Sequence, residues 1–286
     1  MKIAVIDIGS NSVRLLMTSD GKTLYKTIST TRLGEGIACG RLSSAAMERT
    51  AKAVRVFCER ARGEGAQKIY AFATAAVRSS ANREDFVRLV EAECGLQTDV
   101  VSGEEEAELG LSGALGTEDG AIVDIGGAST ELIFRNGGRR VYAQSRYICA
   151  VSLFDSYGRD RKRLTAAIKE AIQGYGTVPV CDKPIVAIGG TATSLAALAL
   201  GLKEYDGAAV QDYRLTRERL EALTDGIFSR TAQELAQTTC LPFQRAEILG
   251  GGALTLAAMM DYLSVREAIV SERDNLEGYL LKKEGV

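Results

Sequence analysis

Apolar residues fall in short blocks along the chain, and the spacing of each block sets the element it predicts. Residues 3–7 and 14–18 are short apolar strands on either side of the polar turn Gly9-Ser10-Asn11-Ser12, and residues 22–29 add a third strand. Arg32-Leu-Gly-Glu-Gly36 follows as a glycine-rich loop. Met47, Ala51, Val54 and Cys58 then recur at helical spacing, which predicts a helix from Ser43 or Ser44 to about residue 59, capped by the serine. Residues 68–73 read as a buried strand, 74–78 as a loop, 82–93 as a helix with Phe86, Leu89 and Val90 inward, and 98–101 as a strand. Ser102 and Glu105 form the S-x-x-E pattern of a capping box, with Glu104 and Glu106 also at the positive end of the helix dipole.

The second half repeats this logic. An apolar run from Ala121 ends at Asp124, and a glycine turn leads through Ser129 to Glu131 and another apolar run. Asp7 aligns with Asp124, Gly9 with Gly126, Ser12 with Ser129 and Arg14 with Glu131. Glycines let backbone N–H groups approach an anion closely, and an Asp at the strand end could hold a Mg²⁺ that screens it. A single Asp-x-Gly is usually a plain turn; two copies in the same register imply two similar half-domains facing one ligand. Further strands are expected at 139–145, 184–188 and 267–271, and helices at 165–174, 216–229 and 276–283. The 184–188 strand runs into Gly189-Gly190-Thr191 at a helix start, which makes an anion site. Residues 246–254 read as another strand–glycine–helix junction, although close helix–sheet packing is the better reading of Gly250–Gly252. The polar stretch 116–120 marks the boundary between an N-terminal domain, 1–116, and a C-terminal one, 117–286, whose last helix could pack back across it.

Composition narrows the chemistry. With 46% apolar and 25% charged residues, the chain reads as a soluble globular protein, and no stretch approaches a membrane span. Asp7 interrupts the first apolar run, so no signal peptide is expected, and the scattered cysteines predict reduced thiols in the cytoplasm. There is no histidine, which removes Ser-His-Asp and Cys-His hydrolases, phosphohistidine enzymes and His-ligated zinc sites. Any general base is then most simply a carboxylate. The net charge of −2 does not suggest nucleic-acid binding.

With these stretches laid out, the sequence resembles the exopolyphosphatase/guanosine pentaphosphate phosphatase (Ppx/GppA) family of the actin-like ATPase superfamily, in its short form without the extra C-terminal domain. The residues that carry the likeness are Asp7-Ile-Gly-Ser-Asn-Ser12, Ala73-Thr-Ala-Ala-Val-Arg78, Ser102-Gly-Glu-Glu-Glu-Ala107, Asp124-Ile-Gly-Gly-Ala-Ser-Thr-Glu131 and Gly189-Gly-Thr-Ala-Thr193. The resemblance implies an α/β fold of two ribonuclease-H-like lobes with a central cleft. It implies Mg²⁺-dependent hydrolysis of the terminal phosphoanhydride of inorganic polyphosphate or pppGpp, with Glu106 as the base that activates water. Asp124 and Glu131 would organise the metal. Asp7, Gly9, Ser10, Asn11 and Ser12, with Gly126, Gly127, Ala128 and Ser129, would cradle phosphate. Arg14, Arg78, Gly190 and Thr191 would hold the substrate. A homodimer is implied as well, with neither nucleic acid nor membrane as a partner.

Three departures stand out. Ala128 replaces a family glycine, and Ser152 and Leu276 stand where the family tends to have arginines. They motivate an alternative, a guanosine polyphosphate or nucleotide sensor of the same fold that turns over slowly. A small-molecule kinase of the superfamily is disfavoured, since nothing resembles a sugar or acid pocket. Each site residue also has a plainer reading: Asp7 and Asp124 as turn formers, residues 104–106 as helix capping, Arg14 and Arg78 as surface charges.

Overall fold

Alternation along the first strand distributes its side chains to two faces of a sheet. The structure, a computed structural model, describes residues 1–35, 40–126, 129–180 and 182–285. Strand β1 (Lys2–Ile8) pairs antiparallel with β2 (Ser12–Ser19), which pairs with β3 (Lys22–Thr30). Asp20 and Gly21 join β2 to β3 with φ of 49° and 76°, the left-handed pair that a two-residue hairpin needs. Helix α1 (Ser44–Gly63) starts on Ser43, whose Oγ accepts from the Ala46 N–H at 3.2 Å. Then come β4 (Lys68–Ala73), α2 (Ala75–Arg78), α3 (Arg83–Cys94), β5 (Thr98–Val100) and α4 (Gly103–Leu115). Residues 74–78, expected as a loop, thus contain one helical turn. It is too short for a hydrophobic period to show.

β1, β4 and β5 run parallel, and the sheet order is β3-β2-β1-β4-β5. Ala4, Ile6 and Ile8 pack with residues of α1 and α3 such as Val54, Cys58, Phe86 and Val90. Val5 faces the other way, with Leu16, Phe72, Val101 and Leu109.

The second sheet is built in the same way. β6 (Gly120–Ile125), β7 (Thr130–Asn136) and β8 (Arg139–Arg146) form a meander. Gly137 and Gly138 make its β7–β8 turn with φ of 60° and 71°, and Asp119 accepts both of their N–H groups, at 2.7 and 2.9 Å. After α5 (Ala150–Tyr157) and α6 (Arg161–Ile172) come β9 (Ile185–Ile188) and α7 (Gly189–Leu200). The chain continues through α8 (Gly207–Val210), β10 (Tyr213–Thr216), α9 (Arg217–Phe228), α10 (Ala232–Thr238), α11 (Phe243–Tyr262) and β11 (Glu267–Val270). The order is β10-β11-β9-β6-β7-β8, with β6, β9 and β11 parallel. Read from the meander inward, the first sheet has the 3-2-1-4-5 order of a ribonuclease-H-like lobe; in the second, β11 takes the fifth place and β10, which precedes it in the chain, adds an antiparallel sixth strand at the edge.

Contacts divide the chain into one unit of Met1–Gly113 with Asn275–Val286, and another of Ala114–Asp274. The division therefore falls a few residues before the polar stretch 116–120. The last helix, α12 (Asn275–Glu284), belongs to the first unit. Tyr279 stacks on Phe72 with ring centroids 4.5 Å apart, and its hydroxyl donates to Asp99 at 2.6 Å. A Cβ on Gly278 would lie 1.9 Å from the Leu109 carbonyl oxygen, so the helix sits this close to α4 only with glycine there. Leu276 is fully buried in the cluster of Val5, Leu16 and Phe72. It fills a core position of the first unit.

Residues 246–254 lie wholly within α11, so no strand–glycine junction exists there. Added Cβ atoms on Gly250 and Gly252 would lie 2.8 Å from Phe228 and 2.5 Å from Thr191. These glycines admit α9 and α7 to close contact with α11, the packing role weighed for them above. Helix α6 starts four residues earlier than expected, because Asp160 accepts from the N–H groups of Lys162 and Arg163 at 3.0 and 3.1 Å. Among the described residues no helix is long and apolar enough to cross a membrane.

Candidate active site

The two hairpins carry the same local geometry. In the first, Asp7 and Arg14 are partners across β1 and β2, and the Gly9 N–H donates to the Ser12 carbonyl at 3.0 Å. In the second, Asp124 and Glu131 are partners across β6 and β7, and the Gly126 N–H donates to the Ser129 carbonyl at 2.9 Å. A Cβ on either glycine would lie 3.1 Å from that carbonyl, tighter than an ordinary contact. Both turns thus favour glycine for the same steric reason. Ser10, Asn11 and Ser12 stand at the tip of the first turn, Asn11 exposed. Gly127 and Ala128, expected as phosphate contacts, lie outside the described residues.

The cross-strand pairs differ in chemistry. Arg14 donates from Nε and Nη2 to Oδ2 of the buried Asp7 at 3.0 and 2.5 Å. In the second unit two carboxylates face one another instead. Glu131 Oε1 accepts from Ser129 Oγ at 2.5 Å and from Ser145 Oγ at 2.6 Å, which fixes its rotamer. Asp124 lies against the start of α7: Gly189, just after β9, has φ of 83°, and a Cβ there would lie 2.5 Å from Asp124 Oδ1. Only glycine accommodates both that backbone angle and the carboxylate.

Glu106 lies in the first turn of α4. Its Oε2 accepts from Arg78 Nη1 at 2.8 Å, and the same nitrogen donates to the Val101 carbonyl at 3.0 Å. Glu105 behaves differently. It closes the capping box by accepting from the Ser102 N–H at 2.9 Å, and Lys282 pairs with it at 3.0 Å. The Ser102 backbone N–H first, and then Lys282, hold the Glu105 carboxyl below its ordinary pKa. Neighbouring glutamates on one helix turn are thereby separated into a capping group and a group held by arginine.

A family model described as the Ppx/GppA phosphatase family matches residues 11–285. The chain belongs to this family. Exopolyphosphatase 2 of Mycobacterium tuberculosis is 30% identical over 320 residues, spanning 99% of this chain and 99% of the relative. A solved Ppx/GppA phosphatase of Aquifex aeolicus, the type II variant, is 27% identical with a TM-score of 0.82 over 99% of each chain. The exopolyphosphatase structure from Cytophaga hutchinsonii is 24% identical with a TM-score of 0.85, covering 100% of this chain and 99% of that one, and bears on the fold. As a Ppx/GppA phosphatase the chain is an enzyme of the phosphoanhydride-hydrolase class.

Within this Ppx/GppA chain, Gly190 and Thr191 open α7 at the end of β9. The Thr191 side chain is enclosed against Gly252, so its backbone N–H is what the helix terminus can offer a ligand. Arg245 was passed over in the sequence. A Cβ on Gly190 would lie 2.5 Å from its Nη2, so the guanidinium lies directly against the start of α7. Burial lowers the pKa of Arg245. Its place is set by the crossing of α11 on α7, which no local pattern announces. The basic run at 159–163 is structural by contrast. Arg159 donates to the carbonyls of Ile227 and Arg230 at 2.5 and 2.7 Å, and Arg161 pairs with Asp225 at 2.7 Å.

Proposed function

We propose that this enzyme hydrolyses the terminal phosphoanhydride of inorganic polyphosphate, with pppGpp as the competing substrate. The observation that carries the reading is the repeated hairpin: a strand-end Asp, a glycine turn closed on a serine carbonyl, and a charged cross-strand partner, present once in each unit. The naming of the Mycobacterium tuberculosis relative as an exopolyphosphatase supports polyphosphate.

Glu106 is the general base. Arg78 orients its carboxylate, which takes a proton from water as the water oxygen bonds to the terminal phosphorus and the bridging P–O bond breaks. The glycine turns present N–H groups and serine hydroxyls to the phosphate oxygens. Arg14 completes the charge balance at the first turn, and the start of α7 with Arg245 accepts a further phosphate.

Asp124 and Glu131 suit Mg²⁺. Two facing carboxylates are what this ion usually takes from protein, the rest of its shell being water and substrate phosphate. When bound, Mg²⁺ would neutralise charge on the phosphates. Ser129 and Ser145 keep the Glu131 carboxylate aimed, and Gly189 leaves room for that of Asp124. A cytoplasmic setting agrees with Cys58, Cys94, Cys149 and Cys240 being free thiols.

The slow-sensor alternative drew part of its motive from Leu276. Leu276 fills the core of the first unit, which weakens that motive, while Ser152 and Ala128 still carry it. The test is phosphate release with Mg²⁺ from medium-chain polyphosphate and from pppGpp, side by side, for the native enzyme and Glu106→Gln. Release that requires Glu106 supports the hydrolase, and the ratio of rates names the substrate. No release from either would leave the sensor.

A further inference from the structure

The glycine-rich loop that begins at Arg32 is not used by the reading above, yet its first half is bound directly to the first phosphate turn. The Thr31 and Arg32 N–H groups both donate to the Asn11 carbonyl, at 3.0 and 2.8 Å. The Gly34 N–H donates to the Ser10 carbonyl at 2.8 Å, and a Cβ on Gly34 would lie 3.3 Å from Ser10 Cβ. From α1, Arg49 secures the outer side, donating to the Thr31 carbonyl at 2.6 Å and pairing with Glu35 at 3.1 Å. Residues 31–35 thus form a second layer behind the tip of the turn.

Within that layer Arg32 has φ of 50°. The other non-glycine residues with positive φ among those described are Asp20, Asp212 and Ser264, short polar side chains. Asp in particular tolerates this region. Arginine has no such excuse, and a residue held in a sparsely populated region suggests function. The side chain is exposed, and among the described residues no carboxylate pairs with it. The fold therefore keeps an arginine at a strained backbone angle in the layer bonded to the turn, with its side chain exposed and its charge unpaired among the described residues.

We propose that Arg32 is a substrate-contact residue, its guanidinium binding a phosphate of the polyphosphate chain next to the group seated on Ser10–Ser12. A planar fork of donors suits two oxygens of one phosphate, and an exposed arginine reaches along a linear polyanion. The inference rests on the hydrolase reading for its substrate class.

Arg32→Gly gives a clean test, because glycine removes the charge and also relieves the positive φ. The expected result is a KM for polyphosphate about tenfold higher, a smaller change in kcat, and a melting temperature equal or higher. Affinity is measured separately by calorimetry with medium-chain polyphosphate in the Glu106→Gln background, where Arg32→Gly should weaken binding by about the same factor. Arg32→Lys should recover part of the loss. Unchanged KM and unchanged affinity in Arg32→Gly, with phosphate release intact, would overturn the role of Arg32 and leave the hydrolase reading standing. Absence of release from the native enzyme would remove the hydrolase reading, while the calorimetric comparison would still decide Arg32. Native enzyme that neither binds nor cleaves polyphosphate would remove both.

Discussion

Arg78 holds Glu106 and is itself held: one guanidinium nitrogen donates both to the Glu106 carboxylate at 2.8 Å and to the Val101 carbonyl at 3.0 Å. The Glu106 carboxylate is thereby tied to the backbone just after β5, at the entry to α4. This geometry gives Arg78 a positioning role toward Glu106, beside the substrate role that the sequence resemblance implies.

Arg78→Ala should lower kcat roughly 10- to 100-fold, and Glu106→Gln at least 100-fold, the range expected for a positioned general base. Both sites are part-buried, so urea denaturation should show less than about 1 kcal/mol of lost stability. Phosphate-release kinetics give the answer. An Arg78→Ala enzyme with native kcat would reduce the contact to a helix anchor.

Gly189→Ala sets a Cβ 2.5 Å from Asp124 Oδ1 at a φ of 83°. The carboxylate must move or the α7 terminus must shift, at a cost of about 1–3 kcal/mol. Mn²⁺ binding followed by electron paramagnetic resonance should weaken at least tenfold. Native Mn²⁺ affinity in the variant would show that Asp124 is not a metal ligand.

Gly278→Ala sets a Cβ 1.9 Å from the Leu109 carbonyl oxygen, a backbone atom with no side-chain freedom to yield. A loss of about 3 kcal/mol is expected, at the upper end for overpacking. The last helix should then become sensitive to limited proteolysis, read by mass spectrometry. A variant with native stability and an uncut C-terminus would contradict this packing.

Asp99 links the same helix to β5 through Tyr279 at 2.6 Å and Lys283 at 2.7 Å. Burial alone would raise the Asp99 carboxyl, but the bonds from Lys283 and Tyr279 outweigh it and hold the pKa below the usual value. A depressed folded pKa stabilises above the unfolded value of about 3.9, and that contribution is lost as pH falls through the folded value. Asp99→Asn should therefore cost about 0.5–1 kcal/mol at pH 7 and almost nothing near pH 2, allowing for the partial exposure of the pair. Urea midpoints at both pH values measure it. An equal cost at both would assign the loss to packing.

Much of this architecture could be read without coordinates, because its determinants are local. Period-two alternation marks the β1–β2 and β6–β7 hairpins, the Ser102–Glu105 spacing marks the start of α4, and the alignment of Asp7 with Asp124 marks the duplication. Each depends on residues within one strand pair or one helical turn.

What the tertiary structure decided depends on partners far away in the chain. The glycines at 250–252 can end a strand or line a helix crossing, and only Phe228 and Thr191 packed against them select the helix. Leu276 could mark a lost arginine until its burial with Val5 and Phe72 places it in the core. Arg245 gains meaning only from lying against Gly190, and Arg32 only from a backbone angle set by its bond to Asn11. By itself the sequence determined the strand and helix periods and the chemistry of each turn, since those act over a few residues. Which distant surfaces close-pack, and so which charges remain free to meet a substrate, was decided by sterics between elements that no local spacing records.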